Sequence, residues 1–217
     1  MKTDQYIRTE TSKNQIYIHH TASSPNPYAV IRDWNTTPER VGTSFVIGGL
    51  GAKASNGETW EDGKILQTYS SLYWAYHLGL TTAQVKKGGV GAKSNLWLNQ
   101  HSIGIEICNW GGLTATNAGF LNWAKRKVPD QEVVEYPTPF RGYKYYQKYT
   151  DAQLVSTREL ILFLCNRYSI PSKFIGMRMF DICPDALRGE SGVYTHVSVR
   201  PDKSDCHPQA ELIQMLQ

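Results

Sequence analysis

Water activation needs a metal site or a strong base, and a handful of side chains in this sequence have the right chemistry for both. His19 closes the stretch "QIYIHH" at 15–20, His196 lies in "VYTHVSV" at 193–199, and the loop "DKSDCHP" at 202–208 adds Lys203, Asp205, Cys206 and His207. Two neutral imidazoles and a carboxylate form the N/O ligand set of a hydrolytic zinc site, which keeps one position open for water. No HExxH-type motif fixes two of these residues locally. A histidine at a strand end is more often a satisfied polar residue, and cysteine is as acceptable a zinc ligand as aspartate, so Cys206 rivals Asp205. Glu106, in "SIGIEIC" at 102–108, has two readings: a general base, or a rim glutamate paired with a lysine.

Alternating patterns supply the strands that must carry these groups. "QIYIHH" reads as a half-buried strand with Ile16 and Ile18 on one face and Tyr17 and His19 on the other. In 102–108 the three isoleucines share one face, which leaves Ser102, Gly104, Glu106 and Cys108 on the opposite one. Further strands are expected at 43–49, 64–69 and 193–199, the last with His196 opposite Val193 and Val197. The clearest helix is Asp151–Tyr168, where Thr150 and Gln153 form a capping box and Pro171 follows the end. Shorter helices are expected at 26–35 and 208–217, each with a proline near its start. Interleaved strands and helices make an α/β fold with a mixed central sheet covered by helices on both faces.

Residues 109–149 break that rhythm. The segment "TNAGFLNWAKRKVP" has the look of a helix, and "EYPTPFRGYKYYQKY" is rich in proline, glycine and tyrosine. The whole reads as an inserted excursion whose aromatics either line a binding site or patch the side of the core.

Composition narrows the function classes. A net charge of +4 favours an anionic partner only weakly, and scattered lysines and arginines without a basic block argue against nucleic acid. The longest apolar run, Leu160–Cys165, is far short of the roughly 20 residues of a membrane span. Residues 1–14 lack the apolar centre of a secretory signal, which fits cytoplasmic synthesis, export by another route, or a trimmed chain. Four cysteines without a CxxC define neither a zinc ribbon nor a disulfide framework, and Cys108 and Cys165 lie in apolar, core-like patterns.

Seven stretches, in this order, resemble the zinc-dependent N-acetylmuramoyl-L-alanine amidases, the family of phage lysozyme-type amidases, bacterial cell-wall amidases and peptidoglycan recognition proteins. They are "IYIHHTAS" at 16–23, "SFVIGG" at 44–49, "DGKILQ" at 62–67, "WAYHLG" at 74–79, "SIGIEICN" at 102–109, "YTDAQLVSTRELILFLC" at 149–165 and "THVSVRPDKSDCHP" at 195–208. The resemblance implies a peptidoglycan recognition protein-like fold over residues 1–217, as one catalytic domain with an excursion at about 110–148. It also implies one zinc ion bound by His19, His196 and Asp205, with the register from Lys203 favouring Asp205 over Cys206. Glu106 becomes the base and Lys203 the stabiliser of the tetrahedral intermediate. The implied substrate is peptidoglycan or a soluble muropeptide, cleaved between N-acetylmuramic acid and L-alanine by zinc-activated water, and the implied state is a monomer acting on the cell wall.

The chain departs from the family pattern at two places. Where some members carry a catalytic tyrosine, "TSF" at 43–45 puts Thr43, which shifts the burden to Glu106, and the element after Lys203 continues with Cys206 and His207 instead of proline. On the substrate side the resemblance places His77 at the cleft, Thr43 and Trp74 are the further candidates, and Trp74, Tyr76, Tyr143, Tyr145 and Tyr146 offer flat faces to sugar rings. Two other classes stay open: a peptidoglycan-binding module without catalysis, and a Cys/His hydrolase built on Cys108 or Cys206. Phage lysis, wall recycling and an antibacterial toxin all fit the sequence as biological roles.

Overall fold

The computed structural model describes residues 1–217. In chain order the elements are β1 (Gln15–His20), α1 (Pro27–Trp34), β2 (Phe45–Ile47), β3 (Ala52–Lys53), β4 (Thr59–Trp60), β5 (Ile65–Gln67), α2 (Thr82–Val85) and α3 (Asn95–Gln100). They continue with β6 (Ser102–Ile107), β7 (Gly112–Thr116), β8 (Gly119–Leu121), β9 (Lys127–Val128), β10 (Val133–Phe140) and β11 (Tyr143–Gln147). The chain then closes with α4 (Asp151–Tyr168), α5 (Pro184–Leu187), β12 (Gly192–Thr195) and α6 (Ala210–Leu216).

The central sheet has the order β12-β1-β6-β2-β5, with every pair parallel except the edge pair β2–β5. Ile16, Ile18, Ile103, Ile105, Ile107 and Val193 point to one face and pack with α4 and α6, through Leu154, Ile161, Leu164 and Leu212. Tyr17 and Tyr194 point to the other face and meet Leu98 of α3 and Leu187 of α5. Each isoleucine removed from water contributes roughly 1.5–3 kcal/mol. The α/β class with helices on both faces is therefore borne out. Strand β1, read as half-buried, is buried at all six positions; a parallel strand in mid-sheet is covered on both sides, so alternation of polar and apolar residues does not report exposure there.

Helix α4 has the expected bounds. The Thr150 hydroxyl accepts the Gln153 N–H at 3.1 Å, and the Gln153 side chain accepts the Thr150 N–H at 3.1 Å. Its buried stripe runs through Leu154, Thr157, Ile161 and Leu164, whereas Val155 and Leu162 face solvent. Two expectations fail. The strand at 193–199 ends at Thr195, and His196–Ser198 turn as a single 3-10 element, with the Thr195 N–H held by the Ser198 hydroxyl at 3.1 Å. The expected helix within 116–129 is replaced by strands of two hairpins: Asn122 accepts the Arg126 N–H through its side chain, and Gly119 and Lys125 take positive φ, which a helix does not allow.

These hairpins belong to a second, antiparallel sheet of order β10-β11-β7-β8-β9. Arg141 and Gly142, both at positive φ, make the tight β10–β11 turn. Pro137 and Pro139 are tolerated because β10 is an edge strand, and the pairing register shifts where they fall. The sheet is joined to the core through the Asn109 amide, 3.1 Å from the carbonyls of both Gln147 and Lys148. Tyr146 is fully buried and stacks on His207, so the tyrosine-rich stretch patches the side of the core there. No helix is long and apolar enough to cross a membrane.

Candidate metal centre and cleft

Parallel β1 and β6 run side by side with His19 opposite Glu106, and β12 ends beside them, so all three deliver their last residues to the carboxyl edge of the sheet. Open α/β sheets place ligands at this edge. A cleft of about 300 Å³ opens there, lined by His19, Thr43, Glu106, His196, Lys203 and Asp205 among others. A hollow of about 320 Å³ between α4 and the second sheet, bordered by Glu132 and Asp151, contains no histidine.

His19, His196 and Asp205 are all buried, and one ligand atom from each lies within 4.8 Å of the other two. His19 Nδ1 is 3.2 Å and His196 Nδ1 2.9 Å from the same oxygen, Oδ2 of Asp205. The His196 Nε2–H donates to the Leu78 carbonyl at 3.0 Å, which leaves the lone pair of a neutral ring on Nδ1, facing the carboxylate. Burial and the neighbouring His196 push His19 down to about 4, against the opposing pull of Asp205. Burial alone would raise the Asp205 carboxyl, but His196 and His19 hold it well below the usual range. Two imidazole Nδ1 atoms, with the His19 ring held neutral by its burial, and an ionised carboxylate turned to one point are donors of the kind zinc takes.

Cys206 is fully buried in the main core, where burial pushes its thiol up, while the converging ligand atoms belong to His19, His196 and Asp205. All four cysteines are free and buried. Glu106 lines the cleft and joins none of the chain's ion pairs, which removes its reading as a lysine-paired rim residue. Burial raises its carboxyl well above the ordinary value, Asp205 adds to the rise, and Lys203 opposes it. Lys203 is half-buried on the cleft wall.

The substrate-side residues divide. Thr43 borders the cleft, but its hydroxyl donates to the Phe45 carbonyl at 2.8 Å. His77 also borders it, with both ring nitrogens bonded inside the protein, to His19 and Ser102. Trp74 is not brought to the cleft: it is buried, bridged to Ile7 by its backbone and set edge-on to Tyr76. His20 also borders the cleft and bonds the Tyr149 hydroxyl through Nδ1 at 2.9 Å. Sequence reasoning missed Asn99 and Ser102 as supports of this edge, and Asn109 as the clamp of the second sheet. Polar residues in otherwise apolar runs were the only signal for them.

A family model described as N-acetylmuramoyl-L-alanine amidase matches residues 10–208, spanning the strands and loops that deliver every one of these side chains. The chain belongs to this family. Among solved structures it is similar to PlyL, at 14% identity and a TM-score of 0.51, with 98% of this chain and 89% of PlyL covered. It is also similar to the amidase AmiD from E. coli, at 18% identity and a TM-score of 0.52, covering 96% of this chain and 59% of AmiD. The same holds for AmpDH3 from Pseudomonas aeruginosa, at 16% identity and a TM-score of 0.53, with 98% and 59% covered. At such identities these likenesses speak for the fold. No curated protein matches the chain by sequence.

Proposed function

We propose that the protein hydrolyses the amide bond joining the lactyl group of N-acetylmuramic acid to L-alanine in peptidoglycan or its fragments, with zinc held by His19, His196 and Asp205. The observation that carries this reading is the convergence of those three buried ligand atoms opposite Glu106 in the cleft of a family member. The substrate class is supported by the AmiD structure, a complex with anhydro-N-acetylmuramic acid-L-Ala-D-gamma-Glu-L-Lys, and by that of AmpDH3 with an anhydromuramic pentapeptide.

Zinc bound there supplies Lewis acidity that brings the pKa of a water towards about 7. Glu106, unpaired and half-buried, takes the proton of the attacking water and then delivers it to the leaving amine of L-alanine. Its raised carboxyl suits both tasks, because it accepts a proton readily and remains a competent acid near neutral pH. Lys203, on the same wall, turns its ammonium to the oxyanion that develops on the lactyl carbonyl. Burial of the ligands excludes bulk water and strengthens these charge interactions.

Replacing Lys203 with methionine is expected to lower kcat by about 10²–10³-fold, the usual cost of one oxyanion donor. It also removes the charge that opposes the rise of the Glu106 carboxyl, so the acidic limb of the kcat/KM profile moves to higher pH, where the base is again ionised. A kcat/KM profile of the variant on a purified muropeptide reads both effects. Digestion of purified peptidoglycan tests the function itself: mass spectrometry should find free stem peptides beginning with L-alanine and glycan carrying unsubstituted lactyl groups. Binding to peptidoglycan without release of either product would instead identify a recognition module.

A further inference from the structure

A chain of hydrogen bonds behind the cleft decides which nitrogen of His19 is free. The Ser102 hydroxyl donates to the Leu98 carbonyl at 2.6 Å, and a carbonyl has no hydrogen to return. The Ser102 oxygen, 2.8 Å from Nε2 of His77, therefore accepts from that ring. A neutral imidazole that donates through Nε2 accepts through Nδ1, and Nδ1 of His77 lies 3.0 Å from Nε2 of His19. His19 then donates through Nε2, and its lone pair sits on Nδ1, 3.2 Å from Asp205 Oδ2.

His196 reaches the same state through the carbonyl of the next residue, Leu78. One short segment thus orients both imidazoles. Its backbone is pinned by Asn99, whose Oδ1 accepts the N–H of His77 at 2.8 Å and of Leu78 at 3.2 Å. The Asn99 amide is tied in turn to the Asn95 carbonyl at 2.7 Å. Gly104 makes room for the ring: a Cβ there would stand 3.1 Å from His77 Nδ1 and 2.6 Å from the Thr43 methyl.

We propose that His77, backed by Ser102, is a positioning residue that holds His19 in the Nε2–H tautomer and so presents Nδ1 to the metal shared with His196 and Asp205. The inference rests on the zinc site proposed above. It also gives His77 a role other than direct contact with substrate, since neither ring nitrogen is left over for a ligand.

The test uses the whole chain stripped of metal, with 15N-detected histidine spectra for the tautomer and a chromophoric chelator competing for zinc. Wild type is expected to show His19 as the Nε2–H tautomer before any zinc is added. His77→Leu, which removes the acceptor, should weaken zinc binding about 10–100-fold, the usual cost of losing an outer partner of a metal-binding histidine. His77→Gln, whose amide oxygen can still accept from His19, should recover most of that loss; a merely structural role would not separate leucine from glutamine. Ser102→Ala should give a mixture of His19 tautomers, and it carries the test if His77→Leu does not fold. An Nδ1–H tautomer for His19 in wild type, or wild-type zinc affinity in both His77→Leu and Ser102→Ala, overturns the inference and leaves the zinc site standing. Wild type that binds no zinc overturns both.

Discussion

Glu106→Gln should leave zinc binding and the fold intact while lowering turnover by roughly 10²–10⁴-fold, the range over which a positioned general base acts. The substitution keeps the shape of the side chain and removes only the capacity to take a proton. Glu106 sits opposite His19 across the β1–β6 pair and joins no ion pair, so no structural partner is stranded by the change. Elemental analysis of the variant should therefore return one zinc per chain while its rate on a muropeptide collapses. A variant that loses zinc together with activity would make Glu106 part of the metal site, and a variant with full activity would remove it from the mechanism.

Asp205→Ala should do the reverse by emptying the metal site. It deletes the only anion among the three converging ligands and leaves two neutral imidazoles, so the expected loss of zinc affinity exceeds the 10–100-fold typical of an outer partner. Activity should be absent at ordinary zinc concentrations. Cys206→Ala is the matching control: the thiol lies in the core beside the site, so its loss should cost about 1–2 kcal/mol of stability and no zinc. Loss of zinc in Cys206→Ala with retention in Asp205→Ala would exchange the two assignments. Alkylation of thiols in the folded protein should have no effect on activity, since all four cysteines are buried.

The parts of the fold legible in the sequence were those fixed by local chemistry. The capping box of Thr150 and Gln153 set the start of α4 to the residue, and the isoleucine alternation of β6 put Glu106 on the polar side. Candidate metal ligands were visible as two histidines and a short Lys–Asp–Cys loop, and it was the family resemblance that named Asp205 with His19 and His196. What escaped was whatever depends on partners far along the chain. His196 was read as lying in a strand, yet it sits on a turn whose geometry comes from Ser198 and Thr195 together. Residues 116–129 looked helical because their apolar spacing is ambiguous, and the Asn122 side chain and two positive-φ residues decide the matter. Trp74 looked like a sugar platform, but it is buried, and its backbone pairs with Ile7, 67 residues away in sequence. The relay from Leu98 through Ser102 and His77 to His19 joins three separate segments, and no spacing rule announces it.

The most direct test of the account is digestion of peptidoglycan in water enriched with 18O, with and without a chelator, followed by mass spectrometry of both products. The account predicts a single 18O in the lactyl carboxylate of the muramic acid product and none in the L-alanine-terminated peptide. It further predicts that chelation abolishes cleavage and that added zinc restores it. Label in the peptide alone, cleavage at another bond, or full activity under chelation would contradict it.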